Sequence, residues 1–455
     1  MRSSCLAAAA LLALGSLGAT AHAAEPAPLD CLGPVQHELP APGSAEWQQR
    51  DADNMACARQ RIDDFAQQPA ALFTTGKTPA LDAYRNPASH ANTRFRYTEA
   101  STPSASGKPI AVEIYRPCAA GTCTGMPAGL KTFEPPYPAV VIVHGGYSSK
   151  RLHRSAAQVL AEAGYMTIAL ETTAPMGTHG PDAQSVVDWV FATPKAPVAV
   201  ANLFPHWEQL DTRMVGIAGH SQGGSTASLI GQADKRIRAI VAWDNLTALK
   251  TGWVDKIGMD PPADLALRTP ALGIGADYYF KVVPTTEAPE PAKANTQGGR
   301  GRGAEPHPKD PGYQELKAAG VDTMLVVLRA GTHLDFSLFG GPASRYGESV
   351  INYYTLAWFD RYLKGAHDPA LAADAFRRLT APTFDDSADR HNISQGLYDK
   401  AAAGDSVLKG NRPYLVAGTP VRDRLSFYFQ SRCAITRPGS TVRVGSEDMR
   451  ATGCR

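Results

Sequence analysis

Along the middle of this chain, apolar positions gather into short unbroken runs, each set apart from the next by segments with helical spacing. Ala139–Val143, Met166–Leu170, Met214–Ala218, Ile237–Trp243, Ala271–Ile274 and Met324–Leu328 are apolar at nearly every position. Ser155–Ala163, Ala183–Phe191, Gly223–Gly231 and Glu348–Leu363 carry their apolar residues at helical intervals. A strand apolar on both faces must be covered on both, so the pattern predicts an α/β fold, a mostly parallel sheet with helices on either side. Upstream, Arg94–Thr98 and Ile110–Tyr115 read as an antiparallel edge, with Pro117 stopping the second. Earlier still, Ala45–Gln68 is helix-like, with Trp47, Met55, Ile62 and Phe65 along it.

Two regions break the alternation. Val283–Gly312 is too rich in Pro and Gly for a regular element and reads as a loop insertion between two predicted strands. Asp368–Arg455 reads as a polar C-terminal extension. The expected organisation is a leader at 1–23, an N-terminal helical segment at 24–93, the α/β domain at 94–367 that contains the 283–312 insertion, and the extension at 368–455. Structural bracing is the expectation for both flanking segments.

The leader reading rests on Arg2, the small-residue and leucine stretch Leu6–Ala19, and the small-x-small ending Ala21-His22-Ala23. It predicts export, secreted or periplasmic, with no stable membrane insertion. Six cysteines follow it, and their grouping suggests the disulfides Cys31–Cys57, Cys118–Cys123 and Cys433–Cys454. Their spacing does not suit zinc. With 45 Lys and Arg against 43 Asp and Glu among 455 residues, no overall field would draw the protein to nucleic acid. The Arg300 and Arg302 repeat reads as a solvated loop.

In an open α/β sheet, chemistry collects at the carboxyl ends of the strands. Gly219-His220-Ser221-Gln222-Gly223 stands at one such end, between a buried strand and a helix rich in small residues. A sharp strand-to-helix corner exposes the serine hydroxyl beside a helix N-terminus, and flanking glycines let the backbones approach. Ser221 is therefore the candidate nucleophile. It needs a base, and His333 lies a few residues beyond the run ending at Leu328, in "RAGTHLDF". Two carboxylates end strands between them, Asp244 in "AIVAWDNL" and Asp277 in "TPALGIGADYYF", and either suits the third role. Aromatic residues near the strand ends, Tyr147, Trp243, Tyr278, Tyr279 and Phe336, are candidates for lining a substrate cleft or for ordinary core.

Taken together, "PAVVIVHGGYSS", "GHSQGG", "AIVAWDNL", "TPALGIGADYYF" and "RAGTHLDF" resemble the α/β-hydrolase superfamily. The likeness spans Ile110–Leu363 and is nearest its secreted lipase-like branch, the platelet-activating-factor acetylhydrolases and cutinase-like polyester hydrolases. The acetylhydrolase pattern implies Asp244 as the acid, since Tyr279 occupies the position that matches the acid of the cutinase-like enzymes. The resemblance also implies an oxyanion hole from the amides of Gly146 and Gln222, with Tyr147 as an alternative donor one residue on. It implies a serine carboxylic-ester hydrolase working through an acyl-enzyme on a small or lipid-like ester, with no cofactor or metal. A peptidase or amidase of the same fold uses the same residues, and a non-catalytic binding module is the third reading.

Overall fold

The structure, a computed structural model, describes residues 44–66, 86–194, 202–244, 246–250, 257–279, 282, 311–337, 346–390, 416–432, 434–437 and 440–443. The leader at Met1–Ala23, residues 283–310 of the insertion, and Cys31, Cys433 and Cys454 lie outside them. Of the three expected disulfides, Cys118–Cys123 is formed.

Nine strands make one sheet: β1 (Arg96–Pro103), β2 (Pro109–Arg116), β3 (Tyr137–Val143), β4 (Met166–Leu170), β5 (Leu210–His220), β6 (Ile237–Trp243), β7 (Ala271–Ala276), β8 (Thr323–Leu328) and β9 (Leu425–Gln430). Their spatial order is β1-β2-β4-β3-β5-β6-β7-β8-β9. β3 to β8 run parallel, while β1, β2 and β9 pair antiparallel to their neighbours. The α/β expectation is thus met.

The unbroken apolar runs have a direct cause. In β3, Val140 and Ile142 face one cluster while Ala139, Val141 and Val143 face the other. The first face is covered by α2 (Arg154–Glu162) and α6 (Gly347–Tyr362) through Val159, Leu160, Trp358 and Phe359. The second is covered by α3 (His179–Val190), α4 (Gln222–Ala233) and α5 (Pro311–Ala318), through Val186, Val187, Ala227, Ile230 and Leu316. Each fully buried Val, Leu or Ile contributes about 1.5–3 kcal/mol relative to exposure, so both faces drive the same arrangement. Outside these layers lies the long N-terminal helix α1 (Ala45–Ala66), opened by Ser44, whose Oγ accepts the Trp47 amide at 3.1 Å.

Three elements differ from the sequence expectation. Pro311 and Gly312, read as the end of the insertion, open α5; proline suits a first turn, where its missing N–H has no helical partner. Pro369–Thr380, in the extension, forms α7, with Asp368 accepting the amides of Ala370 and Leu371 at 3.0 and 3.1 Å. The extension also supplies β9, which pairs with β8 in the register Val326↔Tyr428. Without β9, the backbone groups on that side of β8 would lack ladder partners.

Candidate active site

β5 ends at His220 and α4 begins at Gln222, leaving Ser221 alone to turn the corner. It does so at φ 57° and ψ −119°, a conformation that costs a residue with a side chain about 1–3 kcal/mol. The surroundings enforce it: the Ser221 amide donates to the Trp243 carbonyl at 3.0 Å, and the Ser221 carbonyl accepts the Ser225 amide at 3.1 Å. The flanking glycines are steric necessities. A Cβ on Gly219 would run into the Gly223 carbonyl, and one on Gly223 into the carbonyl oxygens of Val143 and His144.

His333 opens a short 3-10 turn, His333–Phe336, just after β8. The turn is fixed by Asp335, whose carboxylate accepts the Thr332 hydroxyl at 3.1 Å as well as the Thr332 amide. Nδ1 of His333 hydrogen-bonds Oδ2 of Asp244, the residue directly after β6. A carboxylate only accepts, so Nδ1 carries the proton and the lone pair of the neutral ring lies on Nε2. Asp244 is itself held in register. It adopts a left-handed φ of 55°, its amide donates to the Ile274 carbonyl at 2.6 Å, and its Oδ1 accepts the Ala276 amide at 3.2 Å.

His333 is also tied to the corner. Nε2–H of His220 donates to the His333 carbonyl at 3.0 Å, and the two rings lie 4.4 Å apart. Tyr279, half-buried, sets its ring 4.4 Å from the ring of His333. Ser221 and His333 are both nearly enclosed, at 4% and 5% exposure.

The loop after β3 lies against the same corner. A Cβ on Gly145 would sit 3.1 Å from Cβ of Ser221, and one on Gly146 would sit 2.7 Å from Oε1 of Gln222. His144 holds this loop from behind. Its Nε2 accepts the Thr172 amide at 3.1 Å, so Nδ1 bears the proton and donates to the Gly145 carbonyl at 2.7 Å. Burial pushes the pKa of His144 down, which favours the neutral ring this pattern requires.

Several sequence expectations are corrected by these positions. The alternative oxyanion donor, the Tyr147 amide, is engaged by the Pro175 carbonyl at 3.0 Å, while the Tyr147 ring stands 78% exposed. Trp243 is core rather than lining: period-two alternation along β6 turns it toward α6, where Nε1 donates to Thr355 at 3.1 Å. Tyr278 is also buried, and its hydroxyl donates to Asp51 of α1 at 3.4 Å. Phe336 stacks 5.8 Å from the ring of His220, supporting it from the core. Of the two tyrosines after Asp277, Tyr279 is the one that reaches His333. Asp277 does not meet the imidazole; its Oδ2 accepts the Ala330 amide at 2.8 Å and the Ser426 hydroxyl at 2.6 Å.

No protein-family model matches the chain, and no curated protein matches it. Among solved structures it is similar to a ferulic acid esterase from Streptomyces cinnamoneus, at 18% identity over 62% of this chain and 93% of that one, with a TM-score of 0.38. The strand order gives this chain an α/β fold, and the corner after β5 and the loops that end β3, β6 and β8 meet at one end of its sheet.

Proposed function

We propose that the protein is a serine hydrolase of carboxylic esters. Ser221 attacks the carbonyl carbon as Nε2 of His333 takes its proton, and the Asp244 carboxylate stabilises the imidazolium that forms. The amides of Gly146 and Gln222 donate to the tetrahedral oxyanion; each such donor contributes about 2.7–4 kcal/mol to the transition state. His333 returns its proton to the departing alcohol, leaving an acyl-serine. Water then enters by the same base catalysis and releases the acid. The reaction needs only side chains, backbone amides and water.

The observation carrying this reading is the His333 to Asp244 hydrogen bond, made by a histidine whose backbone is anchored to the residue before Ser221. The acid after β6 agrees with the acetylhydrolase pattern, and the motif likeness to lipases favours esters over amides. We further assign the protein to an exported compartment. The Met1–Ala23 sequence supports this, as does the Cys118–Cys123 disulfide. Among the described residues, no helix is long and apolar enough to cross a membrane.

The test is covalent labelling by a fluorophosphonate together with turnover of p-nitrophenyl acetate against an aminoacyl anilide. Labelling at Ser221, abolished in Ser221→Ala, with ester turnover exceeding anilide turnover, is the expected result. An unlabelled native protein overturns the enzyme reading; faster anilide cleavage overturns the ester assignment.

A further inference from the structure

We infer that Asp277 is a positioning residue for the base, and that the N-terminal helix and the C-terminal strand belong to the apparatus holding His333 in place. This rests on His333 being the base.

His333 is reached from β8 through Arg329, Ala330, Gly331 and Thr332. Ala330 adopts a left-handed φ of 54°, which an alanine keeps only where its surroundings impose it. The imposing groups come from four separate parts of the chain. Asp277, 7% exposed at the end of β7, accepts the Ala330 amide with Oδ2. Its own amide donates to the Leu328 carbonyl at 3.3 Å, and the Tyr278 amide donates to the Gly331 carbonyl at 3.0 Å.

From β9, Ser426 donates its hydroxyl to the same Oδ2, and the Arg424 carbonyl just before that strand accepts the Arg329 amide at 2.9 Å. From α1, Asn54 Oδ1 accepts Nε of Arg329 at 2.9 Å, Asp51 accepts the Tyr278 hydroxyl, and Cys57 packs on Ala330. From the start of α6, the Tyr346 hydroxyl donates to the Arg329 carbonyl. Burial pushes the Asp277 pKa up, while the Ser426 and Ala330 hydrogen bonds and the charges of Arg50 and Arg329 oppose it. The carboxyl oxygen therefore serves as a fixed acceptor at the centre of a clamp, turned away from the imidazole. The flanking segments brace one particular loop.

Loss of the clamp would let His333 shift relative to Ser221, and a displacement of about 1 Å at a reacting group can cost about 100-fold in rate. Asp277→Ala, which leaves the Ala330 amide and the Ser426 hydroxyl without their acceptor, is expected to lower kcat about 100-fold with KM within about threefold. Asp277→Asn keeps an acceptor oxygen and is expected to recover kcat to within about fivefold, with the acid limb of the pH profile unmoved. A triad acid would behave oppositely, because its amide form would favour the wrong imidazole tautomer.

Amide hydrogen exchange across residues 329–335 reads the clamp without reference to turnover, and is expected to quicken about tenfold in Asp277→Ala. Should that variant not fold, Ser426→Ala and Asn54→Ala carry the test, each expected to lower kcat about threefold to tenfold at unchanged KM. Wild-type exchange and wild-type kcat in the folded variants would overturn the inference. So would an Asp277→Asn enzyme as crippled as Asp277→Ala. A native protein that neither labels nor turns over, with exchange still quickened by Asp277→Ala, would instead overturn the assignment of His333 as base.

Discussion

The ring of His220 donates from Nε2 to the backbone carbonyl of His333 at 3.0 Å, linking the residue before Ser221 to the residue proposed as its base. Ser221 is carried by the β5–α4 corner and His333 by the loop after β8, so their relative position depends on contacts made across the sheet end. His220 makes one of them by hydrogen bond and ring packing together, and its Nδ1 edge faces Gly145 on the third loop. His220→Phe keeps a ring in place and removes the donor, so the His333 carbonyl loses its tie to the residue before Ser221. It is expected to lower kcat on p-nitrophenyl acetate up to about tenfold, since a hydrogen bond of this kind contributes about 0.5–1.5 kcal/mol. His220→Gln, which retains an N–H, is expected to recover most of that loss; equal kcat in all three proteins would show that the link carries nothing.

Asp244 and Ser221 test the chemistry itself. Asp244→Asn presents an amide to Nδ1 and favours the ring tautomer with its proton on Nε2, where the lone pair is needed. The expected loss in kcat is about 10⁴-fold, and Ser221→Ala, which removes the proposed nucleophile, should cost about 10⁶-fold. The double variant should be little worse than Ser221→Ala, because the residues act as one unit. Steady-state kinetics with circular dichroism to check folding measures both; additive losses would contradict the assignment.

Much of this architecture is legible in the sequence because the central strands are buried on both faces, which forces unbroken apolar runs with sharp edges. Ser221 is legible for a related reason: Gly219 and Gly223 cannot bear a Cβ where the strand folds back into a helix. Asp244 and Asp277 are not separable by local pattern, since each follows an apolar strand. What separates them is the left-handed backbone at Asp244 and the distant partners of Asp277, Ala330 and Ser426. The alternation Ala239, Val241, Trp243 places the tryptophan on the α6 face, so its core role could be read from period two alone. β9 stayed hidden because "LSFYFQ" lies in a polar stretch and its partner β8 is remote in the chain. α7 did carry a start signal, Asp368 followed by Pro369.

Gly223 offers a prediction about packing. A methyl group there would collide with the backbone carbonyls of Val143 and His144, and backbone at the end of a central strand cannot swing aside as a side chain can. Gly223→Ala is therefore expected to destabilise the fold by about 1–3 kcal/mol, since overpacking a close-packed interior forces backbone shifts. The shift would separate the corner from the loop bearing Gly145 and Gly146, so fluorophosphonate labelling of Ser221 should slow in the protein that does fold. Urea denaturation and labelling rate measure the two effects. Wild-type values for both would mean that the close approach does not constrain the corner.

Stability at low pH should depend on His153, which lies enclosed between the rings of Trp243 and His220, 6.0 and 5.4 Å away. Burial, reinforced by the neighbouring His144, lowers its pKa from 6.5 to about 3. The unfolded chain therefore binds a proton on this ring at pH values where the folded protein does not. The sign follows from linkage: the contribution is fully present above about pH 6.5 and is lost as pH falls toward about 3, at up to about 1.4 kcal/mol per pH unit. His153→Leu keeps an apolar side chain in the same space and removes the titration. Its stability is expected to fall less steeply than that of the wild type between about pH 6 and pH 4, measured by urea melts across that range. Parallel curves for the two proteins would show that His153 is protonated as readily in the folded state as in the unfolded chain.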